Sequence, residues 1–195
     1  MGDALHEAMN RLLFVYNRHL FSYIDDFISM KCFPDIASMG LYPNAKEITE
    51  TCSAFWAVMR HVDWADSTKS DVTLVSVGDG STPRTAAMFA YRTAWDCISI
   101  DPLLKNDEKW NDIRRLNLVR TKCRENPIVT DKSLVIVAVH SHAPLTEILS
   151  NVTSTKNRAL VAIPCCVPYV GMPDLEYTDS RIWSPKNKVM VWRNI

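Results

Sequence analysis

One stretch constrains the fold more than any other: Val72-Thr73-Leu74-Val75-Ser76-Val77-Gly78-Asp79-Gly80-Ser81-Thr82-Pro83-Arg84. Its β-branched apolar run reads as a buried strand. Gly78 and Gly80 then let the backbone turn tightly and let a ligand approach without a Cβ in the way. Ser81 or Thr82 is placed to cap a following helix, and Pro83 suits its first turn, where a missing N–H costs nothing. That helix is expected over about 83–93. A second strand, Cys97 to Ile100, ends at Asp101, 23 residues beyond Gly78. In a doubly wound sheet two such strand ends lie side by side, with free helix amides and a carboxylate at one edge.

The rest of the chain has the same grammar. Leu134 to Val139 and Ala159 to Ile163 are buried strands, and Pro144 to Ser150 is a short helix between them. Asp107 to Arg115 looks helical. Leu116 to Thr121 and Pro127 to Thr130 compete for the place of third strand. Lys188 to Trp192 closes the chain, paired with Arg181 to Trp183 through Ser-Pro-Lys-Asn. Strands alternating with helices imply a parallel sheet covered on both faces. Upstream, Leu5, Met9, Leu12, Tyr16, Leu20, Tyr23 and Phe27 recur at helical spacing and read as one amphipathic helix over 4–30. Pro34 and Gly40 mark a loop. A second helix is expected from Ala45 to about Val62, with Asn44 as its cap. The fold class is therefore α/β, a Rossmann-like doubly wound, mostly parallel sheet with an N-terminal helical extension. Residues 1–69 form the helical lead-in and 70–195 the binding domain, in one compact unit.

The 195 residues carry 22 basic and 22 acidic side chains. A generally basic nucleic-acid binder is excluded, though not a local basic face. The longest clean apolar run falls far short of the ~20 residues of a membrane helix. The first residues lack a secretory pattern. Six cysteines without a C-x-x-C pair read as reduced thiols in the cytoplasm.

A dinucleotide fingerprint wants glycine where Pro83 stands, and a P-loop wants Gly-Lys-Ser/Thr, which is missing. The strand, the G-x-G of Gly78-Asp79-Gly80 and the acid Asp101 resemble motif I and its following acid in class I S-adenosylmethionine (SAM)-dependent methyltransferases. Ser76 stands where that family commonly has an acid, and Thr82 where it has a third glycine. Val137-Ala138-Val139-His140-Ser141-His142-Ala143 and Leu160-Val161-Ala162-Ile163-Pro164-Cys165-Cys166 resemble the "HACG" and "PCC" strand ends of one branch. That branch includes tRNA ribose 2′-O-methyltransferases and glutathione-transferase-C-terminal-domain-containing proteins. The HACG cysteine and glycine are replaced here. Pro43-Asn44-Ala45-Lys46-Glu47-Ile48 resembles that branch's "KKxHEI" helix start.

The resemblance implies SAM as cofactor, held by Gly78, Asp79, Gly80, Ser81 and Thr82, with Asp101 on the ribose and Pro102 beside it. His140, His142, Cys165 and Cys166 would face the acceptor. His140 and His142, two apart at a strand end, point to one side if the strand stays regular, and one is a candidate base. Two histidines and two cysteines also invite a zinc reading, but the usual ligand spacings are missing and no metal is expected. The acceptor of first choice is RNA, with a small molecule or protein next. Lys105, Lys109, Arg114, Arg115, Arg120, Lys122 and Arg124, with Trp110 among them, offer a basic face with an aromatic. A non-catalytic SAM- or nucleotide-binding module and a nucleotide-dependent oxidoreductase are the competing readings.

Overall fold

A computed structural model describes residues 22–166 and 171–195. Its centre is a seven-stranded sheet built from β1 (Val72–Val77), β2 (Asp96–Ile100), β3 (Leu116–Val119), β5 (Ser133–Val139), β7 (Arg158–Ile163), β8 (Leu175–Thr178) and β9 (Lys188–Trp192). The spatial order is β3-β2-β1-β5-β7-β9-β8. The first five run parallel, whereas β9 enters antiparallel to both β7 and β8. Every residue of β1 is buried. This is why β1 carries apolar residues on both of its faces, with only the polar Thr73 and Ser76 among them: a central parallel strand has no solvent face.

Helices α1 (Tyr23–Ile28), α2 (Phe33–Ser38), α3 (Ala45–His61) and α4 (Arg84–Arg92) precede α5 (Leu145–Asn151) among the described residues. Tyr23, Phe27, Cys52, Phe55 and Phe89 belong to the core on one face of the sheet. Leu145 and Ile148 of α5 fill the other with Ile128 and Val152. The two-faced covering makes this a Rossmann-like doubly wound fold. The strand order reverses between β1 and β5. A crevice opens there beyond the strands' carboxyl ends, where such sheets bind ligands. No helix among the described residues is long and apolar enough to cross a membrane.

Several expectations change. Ser22 is extended (φ −70°, ψ 158°) and forms a capping box with Asp25, so α1 starts at Tyr23, and it ends at Ile28. One helix over 4–30 is thereby broken, and its part over 4–21 lies outside the described residues. The Pro34–Gly40 loop contains α2, with the proline in its first turn. The helix expected over Asp107–Arg115 is a 3-10 turn, Glu108–Asp112. The rivals for third strand both form strands. Leu116–Val119 joins the main sheet, and β4 (Ile128–Thr130) pairs with β6 (Val152–Ser154) in a small separate one. β9 pairs with Leu175–Thr178 rather than Arg181–Trp183. The reason is Asp179, whose carboxylate accepts from the Arg181 amide and guanidinium and folds 179–183 into a turn. Asn44, by contrast, caps α3 through the Glu47 amide as the sequence implies.

Candidate functional site

The crevice holds a cavity of about 630 Å³ lined by the ends of β1, β2 and β5 and by Lys122, Cys123 and Glu147. Its floor is the glycine turn. Gly78 and Gly80 both take positive φ, 84° and 76°. At Gly78 the demand comes from the protein and not from a ligand. A Cβ there would lie 2.6–2.9 Å from Ser141 Oγ, Cβ and Cα, the residue just past the neighbouring strand end. Gly80 has more room, with only Arg84 nearby.

Asp79 turns away from the cavity and is almost fully buried. Its Oδ1 accepts from the Thr85 amide (3.2 Å), and its Oδ2 from the Ala86 amide (3.3 Å) and the Ser99 hydroxyl (2.7 Å). Asp79 is therefore the cap of α4, a place the sequence assigned to Ser81 or Thr82. Thr82 is buried with its hydroxyl donating to the Leu41 carbonyl (2.7 Å), and neither the Asp79 nor the Thr82 side chain, both expected at the ligand, lines the cavity. Ser81 holds the loop after β2 through its carbonyl, which accepts from the Lys105 amide (3.1 Å).

This inward carboxylate decides which ligands the turn suits. The helix N-terminus that would attract a phosphate already carries its own anion. The Thr85 and Ala86 amides are taken by Asp79, so the first turn of α4 offers a phosphate neither of them. A ligand without phosphates leaves no donor of that first turn unmet.

Asp101 ends β2 at the cavity wall, as the sequence predicts, with Pro102 and Leu103 beside it. Its Oδ2 accepts from the Gly80 amide (2.8 Å) and its Oδ1 from the Leu103 amide (2.7 Å). A carboxylate has about four acceptor positions, so one on each oxygen remains. Asp101 thus ties the two strand ends together and still presents acceptors. Across the cavity Cys123 donates to Glu147 Oε1 (3.3 Å). Burial and then the Glu147 carboxylate push its thiol up to about 11.

Both histidines line the first cavity, but their side chains have different neighbours. His140 takes φ +52°, which ends the strand's alternation, and its amide donates to the Ile163 carbonyl (2.8 Å). Its Nε2 lies 3.2 Å from Glu50 Oε1, and Lys46 Nζ lies 2.7 Å from the same oxygen. Burial pulls the His140 pKa below its usual range, while the Glu50 charge pulls it back up and Lys46 and Arg84 oppose that. A second pair, Arg84 with Glu47 (2.9 Å), joins the same helix start to the glycine turn. Glu50 escaped the sequence analysis because Lys46 and Glu50 at i, i+4 look like an ordinary surface pair; in the fold Glu50 is only 2% exposed.

His142 is exposed and stands near Cys165 and Cys166. Cys165 Sγ donates to the His140 carbonyl (3.6 Å) and lies 3.4 Å from Cys166 Sγ. Both cysteines line a second cavity of about 770 Å³, together with Gly171, Glu176, Lys186 and Lys188. Of the four residues expected to face an acceptor, His140 and His142 thus line the first cavity, His140 with its Nε2 on Glu50, and Cys165 and Cys166 line the second.

The basic stretch is also divided. Lys122 and Arg124 line the first cavity, and Lys105, Lys109, Arg114 and Arg120 are exposed. Arg115 is not part of that face: its guanidinium donates to the Ala90 and Thr93 carbonyls (2.8 and 2.7 Å) and closes the end of α4. Trp110 is buried, its indole N–H on the Met39 carbonyl (3.0 Å), so it stacks on no base.

No family model matches the chain, and no curated protein matches it. Among solved structures it is similar to a crystal structure of a mutant of MtNAS in complex with S-adenosylmethionine. The two share 12% identity and a TM-score of 0.47, over 89% of this chain and 71% of that one.

Proposed function

We propose that the chain is a SAM-dependent methyltransferase that binds SAM in the crevice between β1, β2 and β5. The observation that carries this is the pairing of Asp101, with acceptor capacity left, and a helix N-terminus already neutralised by Asp79. A ribose diol finds its acceptor, and a ligand without phosphates meets no helix amides left waiting for an anion. The cavity is within the ~300–1,000 Å³ usual for cofactor sites.

When bound, SAM supplies a cationic sulfonium whose carbon–sulfur bond breaks as an acceptor lone pair takes the methyl group. The residues around it have mainly to align and to exclude water. Gly78 and Gly80 shape the floor, and Asp101 fixes the ribose. Pro102 and Leu103 cover one side. Asp101 and Glu147 would supply the cavity's negative charge toward a cationic ligand. His140, braced by Glu50, lines the cavity at the end of β5. The acceptor we favour is RNA, approaching over Lys105, Arg120, Lys122 and Arg124.

Calorimetric titration with SAM tests the first part. Binding is expected at sub-millimolar concentration, weakened at least ~10-fold by Asp101→Ala, since a charged hydrogen bond is worth about 1.5–3 kcal/mol. No heat with the wild-type chain removes the proposal, and unchanged affinity in Asp101→Ala removes the ribose assignment. For the acceptor, the double variant Lys122→Glu, Arg124→Glu should flatten the salt dependence of RNA binding by about 0.7 in log–log slope for each phosphate no longer neutralised. An unaltered slope retires RNA at this face.

A further inference from the structure

We infer that His142, Cys165 and Cys166 form a three-donor zinc site between the two cavities. The register of the sheet brings them together. Val139 pairs with Ile163 in parallel, so the chain leaving β5 and the chain leaving β7 run side by side. His142 and Cys166 each stand three residues past that pair, and Cys165 two past it. Their ligand atoms lie within 4.8 Å of one another. This is not the set of two histidines and two cysteines weighed from the sequence, because His140 is turned to Glu50.

Distances choose among thiophilic ions. Zinc–sulfur bonds of about 2.3 Å at a tetrahedral angle put two sulfurs about 3.8 Å apart. The sulfurs stand 3.4 Å apart, close to that edge. A linear two-thiolate ion would need the sulfurs about 1 Å further apart, at more than ~4.4 Å. The imidazole must close about 1 Å to reach a tetrahedral edge. His142 is exposed, so rotation about its side-chain bonds allows this. Binding forms two Zn–S bonds and one Zn–N bond, and each thiol gives its proton to the solvent.

Three protein donors leave a fourth position open, the pattern of reactive and not of structural zinc. His142 lines the first cavity, and the two cysteines line the second. The open position would therefore sit where an acceptor meets the methyl donor, able to take water or a thiolate, imidazole or oxygen atom of the acceptor. The zinc site itself does not depend on SAM binding, which is measured separately; its place beside the methyl donor rests on the proposed function.

The test is zinc titration of the reduced, metal-free full chain against a chromophoric chelator, with cobalt as a spectroscopic substitute. One zinc per chain is expected, with a thiolate-to-cobalt charge-transfer band. Cys165→Ser and Cys166→Ser should each weaken zinc at least ~100-fold and halve that band, and His142→Ala should weaken zinc ~10–100-fold. Circular dichroism checks the fold of each variant. His142→Ala, at an exposed position, keeps the test decisive if a cysteine variant unfolds. Zinc affinity unchanged in these variants, a cobalt complex without a thiolate band, or no binding by ~10 μM zinc overturns the site.

Discussion

Asp79→Asn is the substitution whose cost the structure fixes most directly. The carboxylate is buried and accepts three hydrogen bonds, two of them from the first-turn amides of α4. Asparagine keeps the shape and one oxygen. Its amide nitrogen then faces either the Ala86 N–H, donor against donor, or the Thr85 N–H. One charge-assisted bond is lost outright, worth about 1.5–3 kcal/mol. The anion at the helix N-terminus is lost as well, worth about 0.3–2 kcal/mol. Because Ser99 can turn its hydroxyl to accept from the new amide, the sum lands near 2–4 kcal/mol and not at the upper limit. For a chain of this size that lowers Tm by about 4–16 °C. Urea unfolding followed by tryptophan fluorescence gives the free energy directly, with an unchanged m value expected. A loss below ~0.5 kcal/mol would mean that the carboxylate does not cap α4. The argument against phosphate ligands would fall with it.

Gly78→Ala should cost more than ~3 kcal/mol in the same urea assay, because the new methyl meets the Ser141 backbone at 2.9 Å and φ is +84°. Near-wild-type stability would show that the two strand ends are not locked together there. The stability of the chain should also fall at both pH extremes through one buried network, Tyr23, Ser53, Asp179 and Arg181. Burial alone would raise the Asp179 pKa, but the hydrogen bonds from Arg181, Tyr23 and Ser53 and the Arg181 charge outweigh it and hold it below 3.8. Its contribution is present above pH 3.8 and lost as pH falls through the depressed value. Burial, then Asp179, raise Tyr23 above 10.0, so its contribution is present below pH 10.0 and lost as pH climbs toward the raised value. Tyr23→Phe should flatten the alkaline limb of a Tm-versus-pH profile; an unchanged limb would deny the network that role.

Local residue choices settled the elements around the site. Val72–Val77 and Leu134–Val139 are too apolar for anything but central strands, and Gly78 leaves the first of them in a conformation few other residues tolerate. Asn44 announces α3, and Asp101 marks the end of β2 at the crevice. Such signals act over a few residues and survive in any tertiary setting. What depended on distant partners was not readable. Asp79 and Thr82 look like ligand residues until α4 and Leu41 claim them. Glu50 looks solvated until a helix sets it against His140, and Arg115 looks like a phosphate contact until the end of α4 takes it. His140 leaves the regular strand with its imidazole against Glu50, while His142 stands beside Cys165 and Cys166. A hydrogen-bonding side chain has several possible partners of similar energy, and only the packed chain brings one of them within 3 Å.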